Sequence, residues 1–195
     1  MGVVGDCDSH ESFESIVAYA KENGVCPTYT TSGLTLTDKQ VEITKKYVSA
    51  VAVSAYFAEH TYSAVKRFVA AGVKTNIHFV LSNESIDQAL DIVQNTEKYD
   101  WLKGVNAFVF LNYKNVGCGA DNKSKIINFR DPKVKQFFEL VDTKKLPFGL
   151  GFDACNVWNV SKLMKNYDKN SVAQCDARSF FCLYFSRYDY GSMFI

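Results

Sequence analysis

The chain has 195 residues, 47% apolar and 22% charged, enough to bury a useful core as one domain or one domain with a small extension. Its 22 basic residues against 21 acidic ones give no field to steer nucleic acid or an anionic membrane surface, so neither is expected as a partner. No apolar run approaches the roughly 18 residues of a membrane span, and no basic-then-apolar leader opens the chain, so a cytoplasmic location is expected.

Met1–Gly5 reads as the end of a short apolar strand, closed by Gly5-Asp6 and followed by Cys7, Asp8 and His10. Residues 11–23 place Phe13, Ile16, Val17 and Ala20 at helical spacing, and Gly24 stops them. A strand follows at 25–31, with Pro27 at its entry. Thr37-Asp38 caps a helix running to about Val48. The nearly all-apolar run 50–56 predicts a strand covered on both faces. A helix at 60–71, a strand at 75–82, a helix at 85–97 begun by Ser82 or Asn83, a strand at 105–113 and a helix at 132–143 with Pro132 in its first turn complete the regular part.

Strand and helix thus alternate, the mark of parallel strands joined by helical crossovers. No glycine-rich phosphate loop follows a strand, which argues against a dinucleotide fold. The expected fold class is α/β, a partial (β/α) barrel over 1–146 with a short C-terminal extension over 147–195. Chemistry in such barrels sits at the C-terminal strand ends. Those ends carry Gly5, Asp6, Asp8 and His10; Thr30, Thr31, Ser32 and Gly33; Ser54 and Tyr56; His78 and Ser82; Asn112 and Tyr113. All suit a polar ligand with hydroxyls, an amine and a carboxylate. The plain alternative is that polar residues gather wherever strands give way to loops.

The six cysteines, at 7, 26, 118, 155, 175 and 182, form no Cys-x-x-Cys pair. In a reducing compartment most such thiols are buried like small hydrophobes.

The stretch GDCDSHESFESIVAYAKENGVCPTYTTSGLTLTD resembles the second and third β/α units of radical S-adenosylmethionine (SAM) enzymes. Gly5-Asp6-Cys7 falls on that family's Gly-Glu-Pro strand end, and His10 and Phe13 keep its register. VSAVAVSAY, AGVKTNIHFVLS and VNAFVFLNYKNVGCG continue the barrel in family order, and GFDAC with QCDARSFFCLYFS is similar to an auxiliary-cluster extension of the SPASM or twitch type. The resemblance implies a protein that binds SAM and a 4Fe–4S cluster and removes hydrogen from a small-molecule or peptide substrate. It implies that Gly5 and Asp6 hold the SAM amine, that Thr31, Ser32 and Ser54 meet ribose hydroxyls or the methionyl carboxylate, and that His78 borders ribose or substrate. It aligns Cys155 and Cys175 with auxiliary-cluster ligands. Asp6 is one methylene shorter than the family's usual Glu. The family's Cys-x3-Cys-x2-Cys motif is missing from the chain, and both ends read as cut. A complementing chain carrying that motif is therefore an expected partner, and the polypeptide alone is expected to be inactive. Two other classes fit some of the same residues: a metal-dependent barrel hydrolase using Asp6, Asp8, His10 and His78, and a non-catalytic remnant that binds a peptide or partner chain.

Overall fold

A computed structural model describes residues 5–114, 120–153 and 157–166. The elements are α1 (Phe13–Glu22), β1 (Thr28–Thr31), α2 (Asp38–Tyr47), β2 (Ala50–Ser54), α3 (Glu59–Ala70), β3 (Thr75–Leu81), α4 (Ile86–Gln94), β4 (Ala107–Asn112), α5 (Pro132–Thr143), β5 (Gly149–Phe152) and α6 (Val157–Leu163). The strands form one five-stranded parallel sheet in the order β1-β2-β3-β4-β5. An order without reversal has no topological switch point, which separates this sheet from the doubly wound folds.

Local signals explain where the elements start and stop. Thr37 and Gln40 build a capping box at the head of α2, each accepting a bond from the other's backbone N–H. Asp131 accepts from the Lys133 N–H ahead of Pro132. At the end of α1, Val25 N–H bonds Ala20 O and Gly24 N–H bonds Lys21 O, a paired closure that needs the left-handed φ of +75° at Gly24. β2 ends at Ser54 rather than running to 56, because the chain turns sharply at Phe57, a non-glycine residue with φ of +53°. α4 ends earlier than its sequence pattern predicts. The Lys144 ammonium takes the carbonyls of Val93 and Gln94 at 2.8 and 2.7 Å, and a short 3₁₀ turn at Thr96–Lys98 follows. β5, which sequence periodicity did not reveal, is a four-residue strand with two glycines.

The chain divides into two compact units. The first comprises the described parts of Met1–Phe79, Asn95–Phe110 and Leu146–Gly151; the second comprises those of Val80–Gln94, Leu111–Lys145 and Phe152–Ile195.

In the first unit the sheet has two unlike faces. Register pairs Tyr29 with Val51, Thr31 with Val53, Val51 with Thr75 and Val53 with Ile77, so these side chains share one face. Val51, Val53, Ile77 and Phe79 on it are at most 1% exposed. The Tyr29 ring meets Phe13 of α1 edge-on, and its hydroxyl bonds Thr44 of α2 at 2.7 Å. Phe79 packs against Phe57, Phe108 and Phe110. On the other face register aligns Thr30, Ala52 and Asn76, then Ser54 and His78. Thr30, Ser54, Asn76 and His78 are all partly exposed. Ala107 and Val109 alternate with the buried Phe108 and Phe110. A Cβ on Gly151 would lie 3.2 Å from Val109 Cγ2, which puts the β5 glycines on that same small-residue face.

The second unit is centred on α4 against α5, with Ile92, Val93, Val134, Phe137 and Phe138 buried. Lys133 pairs with Asp87 at 2.7 Å. Phe138 also stacks on Phe152. Among the described cysteines, Cys7 is buried as expected but Cys26 is exposed.

Candidate functional site

The site builds up from the C-terminal end of β1. Just before α1, a 3₁₀ turn at Cys7–Ser9 carries Asp6 at its head and Asp8 within it. Asp6 makes no capping bond to its own turn. Its carboxylate reaches across 26 residues to Ser32 instead, where Oδ1 accepts the backbone N–H at 2.7 Å and Oδ2 accepts the hydroxyl. Ser32 Oγ in turn accepts from Leu34 N–H at 3.1 Å, so that hydroxyl has both a donor and an acceptor partner. The loop it sits in passes close to α3. A Cβ on Gly33, at φ of +76°, would stand 2.5 Å from Ala64 Cβ.

Asp8 makes the parallel contact one residue earlier. Its carboxyl lies close enough to the Thr31 hydroxyl to be held down by it, and Thr31 Oγ1 accepts from Gly33 N–H at 3.1 Å. Both Asp8 and Thr31 are buried. Burial pushes the Asp8 carboxyl above its ordinary value; the Thr31 bond opposes that, and the charge of Asp6 adds to it. Gln40 Nε2 donates to Asp8 O at 2.6 Å. Asp6 thus ties the turn to Ser32 at the strand end, and Asp8 lies beside Thr31 next to it.

Ser54 and His78 lie side by side in register on the open face. Among the described residues neither the Ser54 hydroxyl nor the His78 ring has a hydrogen-bond partner. Burial holds the His78 imidazole below its ordinary pKa, so it is neutral at physiological pH. Tyr56 stands out at the end of β2, 64% exposed and beside the His60 ring.

The structure therefore joins Asp6 to Ser32, gathers Thr31 with Asp8, and pairs Ser54 with His78. Gly5 precedes Asp6 at φ of +98°. His10 instead turns to its own chain, its Nδ1 accepting from Ser12 N–H at 3.1 Å. Among the described residues no three His, Cys, Asp or Glu side chains are placed to hold a metal ion, so Asp6, Asp8, His10 and His78 do not converge as a hydrolase centre. Cys155 and Cys175 lie outside the described residues. Sequence reasoning missed Gln40, although Thr-x-x-Gln ahead of an apolar run is a capping-box signal.

The residues present can receive a zwitterionic ligand. Asp6 keeps free lone pairs for an ammonium, and Ser54 and His78 are open to hydroxyls. The Ser32 hydroxyl is engaged with Asp6, and Thr31 Oγ1 with the Gly33 N–H.

No protein-family model and no curated protein matches the chain. Solved structures of Streptococcus suis SuiB are similar in fold. SuiB bound to the precursor peptide SuiA matches with TM-score 0.62 and 18% identity, over 91% of this chain and 43% of that one. SuiB alone matches with TM-score 0.60 and 17% identity over 88% and 42%, and SuiB bound to S-adenosylmethionine with 0.58 and 17% over 76% and 38%. The chain spans roughly two fifths of the length of these neighbours, and at such identities the likeness is one of fold. Among the described residues no helix is long and apolar enough to cross a membrane.

Proposed function

We propose that the chain is the SAM-binding part of a radical SAM-type protein, built as an arc of a (β/α) barrel. SuiB is a radical SAM enzyme. The observation that carries the reading is local: a carboxylate, Asp6, is clasped at the end of β1 in a fold shared with a protein whose structure holds SAM. In this reading Gly5 and Asp6 take the amine of SAM, and charge-assisted bonding suits that pair. Ser32 and Thr31 keep the carboxylate and its turn in position. The Ser54 hydroxyl meets the ribose or the methionyl carboxylate, and the neutral His78 borders the ribose or substrate.

The chemistry SAM supplies in this family, beside a reduced 4Fe–4S cluster, is hydrogen abstraction by a carbon radical. This chain's part is to bind, orient and exclude water. Cys155 and Cys175, in an extension over 147–195, are the proposed auxiliary-cluster ligands, and a complementing chain supplies the cysteines of the SAM-cleaving cluster. A peptide is the substrate class favoured by the peptide-bound neighbour. The cytoplasm is the expected compartment.

Titration calorimetry of SAM into the full chain tests the reading without any cluster. Saturable binding is expected, weakened at least about tenfold in Asp6→Ala, the loss of one charge-assisted contact worth ~1.4 kcal/mol. Absence of binding, or equal binding by the variant, overturns it.

A further inference from the structure

The first unit holds an aromatic pair to which the SAM reading gives no task. At the end of β2 the Ala55 N–H still bonds His78 O of β3 at 2.8 Å, but the Tyr56 N–H turns back onto Ser54 O at 3.1 Å. Phe57 then takes a left-handed φ of +53°, a conformation that is costly for a bulky residue and that gathers at ligand clamps. The Phe57 ring packs on the buried Phe79 and Trp101, with centroids 5.4 and 6.4 Å away. Tyr56 is left outside, largely exposed, with the His60 ring of α3 tilted beside it at 6.2 Å. Core packing accounts for where Phe57 goes but not for Tyr56.

We propose that Tyr56, flanked by His60, is the stacking platform for the adenine base of the ligand whose ribose meets Ser54. This rests on the reading of Ser54 given above and concerns a part of SAM to which that reading assigns no residue. Connectivity selects the base. A purine joins its ribose through a single glycosidic bond, and Tyr56 follows Ser54 by two residues at the same strand end, folded back on it by its own N–H. Chemistry agrees, because a flat neutral purine stacks on an aromatic face and needs no matched set of hydrogen bonds to do so. Residues 54–65 include Glu59 and no Lys or Arg, so this rim suits an uncharged ring better than a phosphate. The rim also borders the carboxylate clasp. A Cβ on Gly33 would lie 3.3 Å from His60 O, and Gly33 follows Ser32, whose backbone and hydroxyl hold Asp6. A ligand with its amine on Asp6 thus has Tyr56 and His60 on the adjoining turn.

Nitrogen-edited NMR of the full chain, with adenosine as the probe, tests it. Adenosine carries neither the amine nor the carboxylate of SAM, so its result stands apart from the SAM calorimetry of Asp6→Ala, and either reading can fail alone. Adenosine is expected to shift the Phe57 and His60 amide signals saturably. Tyr56→Leu, which keeps apolar bulk without a ring, is expected to raise the half-saturation concentration at least about fivefold, the loss of one base–aromatic stack. Tyr56→Phe is expected to keep the native value. Tyr56 is largely exposed, so the fold tolerates both exchanges. No saturable shift in the native chain overturns the proposal, as does an unchanged half-saturation in Tyr56→Leu. Equal weakening in Tyr56→Phe and Tyr56→Leu also overturns it, because the contact would then belong to the hydroxyl and not to the ring.

Discussion

In the first unit, one sheet presents two faces that obey different rules. The helix-covered face is a run of Val51, Val53, Ile77, Phe79, Phe108 and Phe110, all essentially without solvent contact. The opposite face carries Thr30, Ser54, Asn76, His78, Ala107 and Val109, smaller or hydrogen-bonding and mostly half-exposed. Strands alternate their side chains, so neighbours on β3 belong to different worlds: Phe79 anchors three aromatic contacts, while His78 keeps a ring with no partner among the described residues. The covered face supplies stability. The opposite face carries the residues proposed to meet the ligand, and they are ones that stability alone would not choose.

The sharpest way to break this contrast is to truncate both neighbours. Phe79→Ala should cost about 3–5 kcal/mol in denaturant unfolding, the usual loss for a fully buried aromatic. His78→Ala should cost about 1 kcal/mol or less. Equal costs would mean that the second face is a core too. Next in size is Gly33→Ala, where the new Cβ meets Ala64 in a backbone conformation that side chains rarely adopt. The expected loss is about 1–3 kcal/mol by the same measurement, and an unchanged midpoint would show that the β1–α2 loop can yield.

The smallest effect concerns pH. His78 has its folded pKa lowered from 6.5 by burial, so the unfolded chain binds the proton more readily. The contribution of the neutral ring is present above pH 6.5 and is lost as pH falls from there through the folded value. Urea midpoints taken from about pH 8 down to about pH 5 should therefore fall less steeply in His78→Gln than in the native chain. Parallel slopes would place His78 in open solvent.

Much of this architecture is legible in the residues. The spacing of Phe13 and Val17, the stop at Gly24, the Thr37 cap and the Pro132 start each name a local cause, and each acts where it was expected. The apolar run over 50–56 marks a central strand correctly, but it cannot reveal the turn at Phe57, whose left-handed backbone is accompanied by ring packing on Phe79 and Trp101. β5 escapes because Gly-Leu-Gly-Phe has no strand preference of its own; the neighbouring strand supplies the reason, with Gly149 N–H bonding Asn106 O. The strand-end positions were readable as a set of polar residues. Their bonding was not. Nothing in the order of letters says that Asp6 grips Ser32, since the link joins residues more than twenty positions apart and depends on where the turn comes to rest.

One side chain shows how tightly two tasks can be fused. Gln40 completes the head of α2 through its carbonyl oxygen, and through its amide nitrogen it steadies the Asp8 carbonyl. A protein engineer tuning that helix by itself would accept glutamate there, since glutamate closes such a head equally well. The exchange would preserve the helix yet strip away a donor the neighbouring turn depends on, so a swap harmless by every local rule would surface as a loosened grip on whatever the strand end holds.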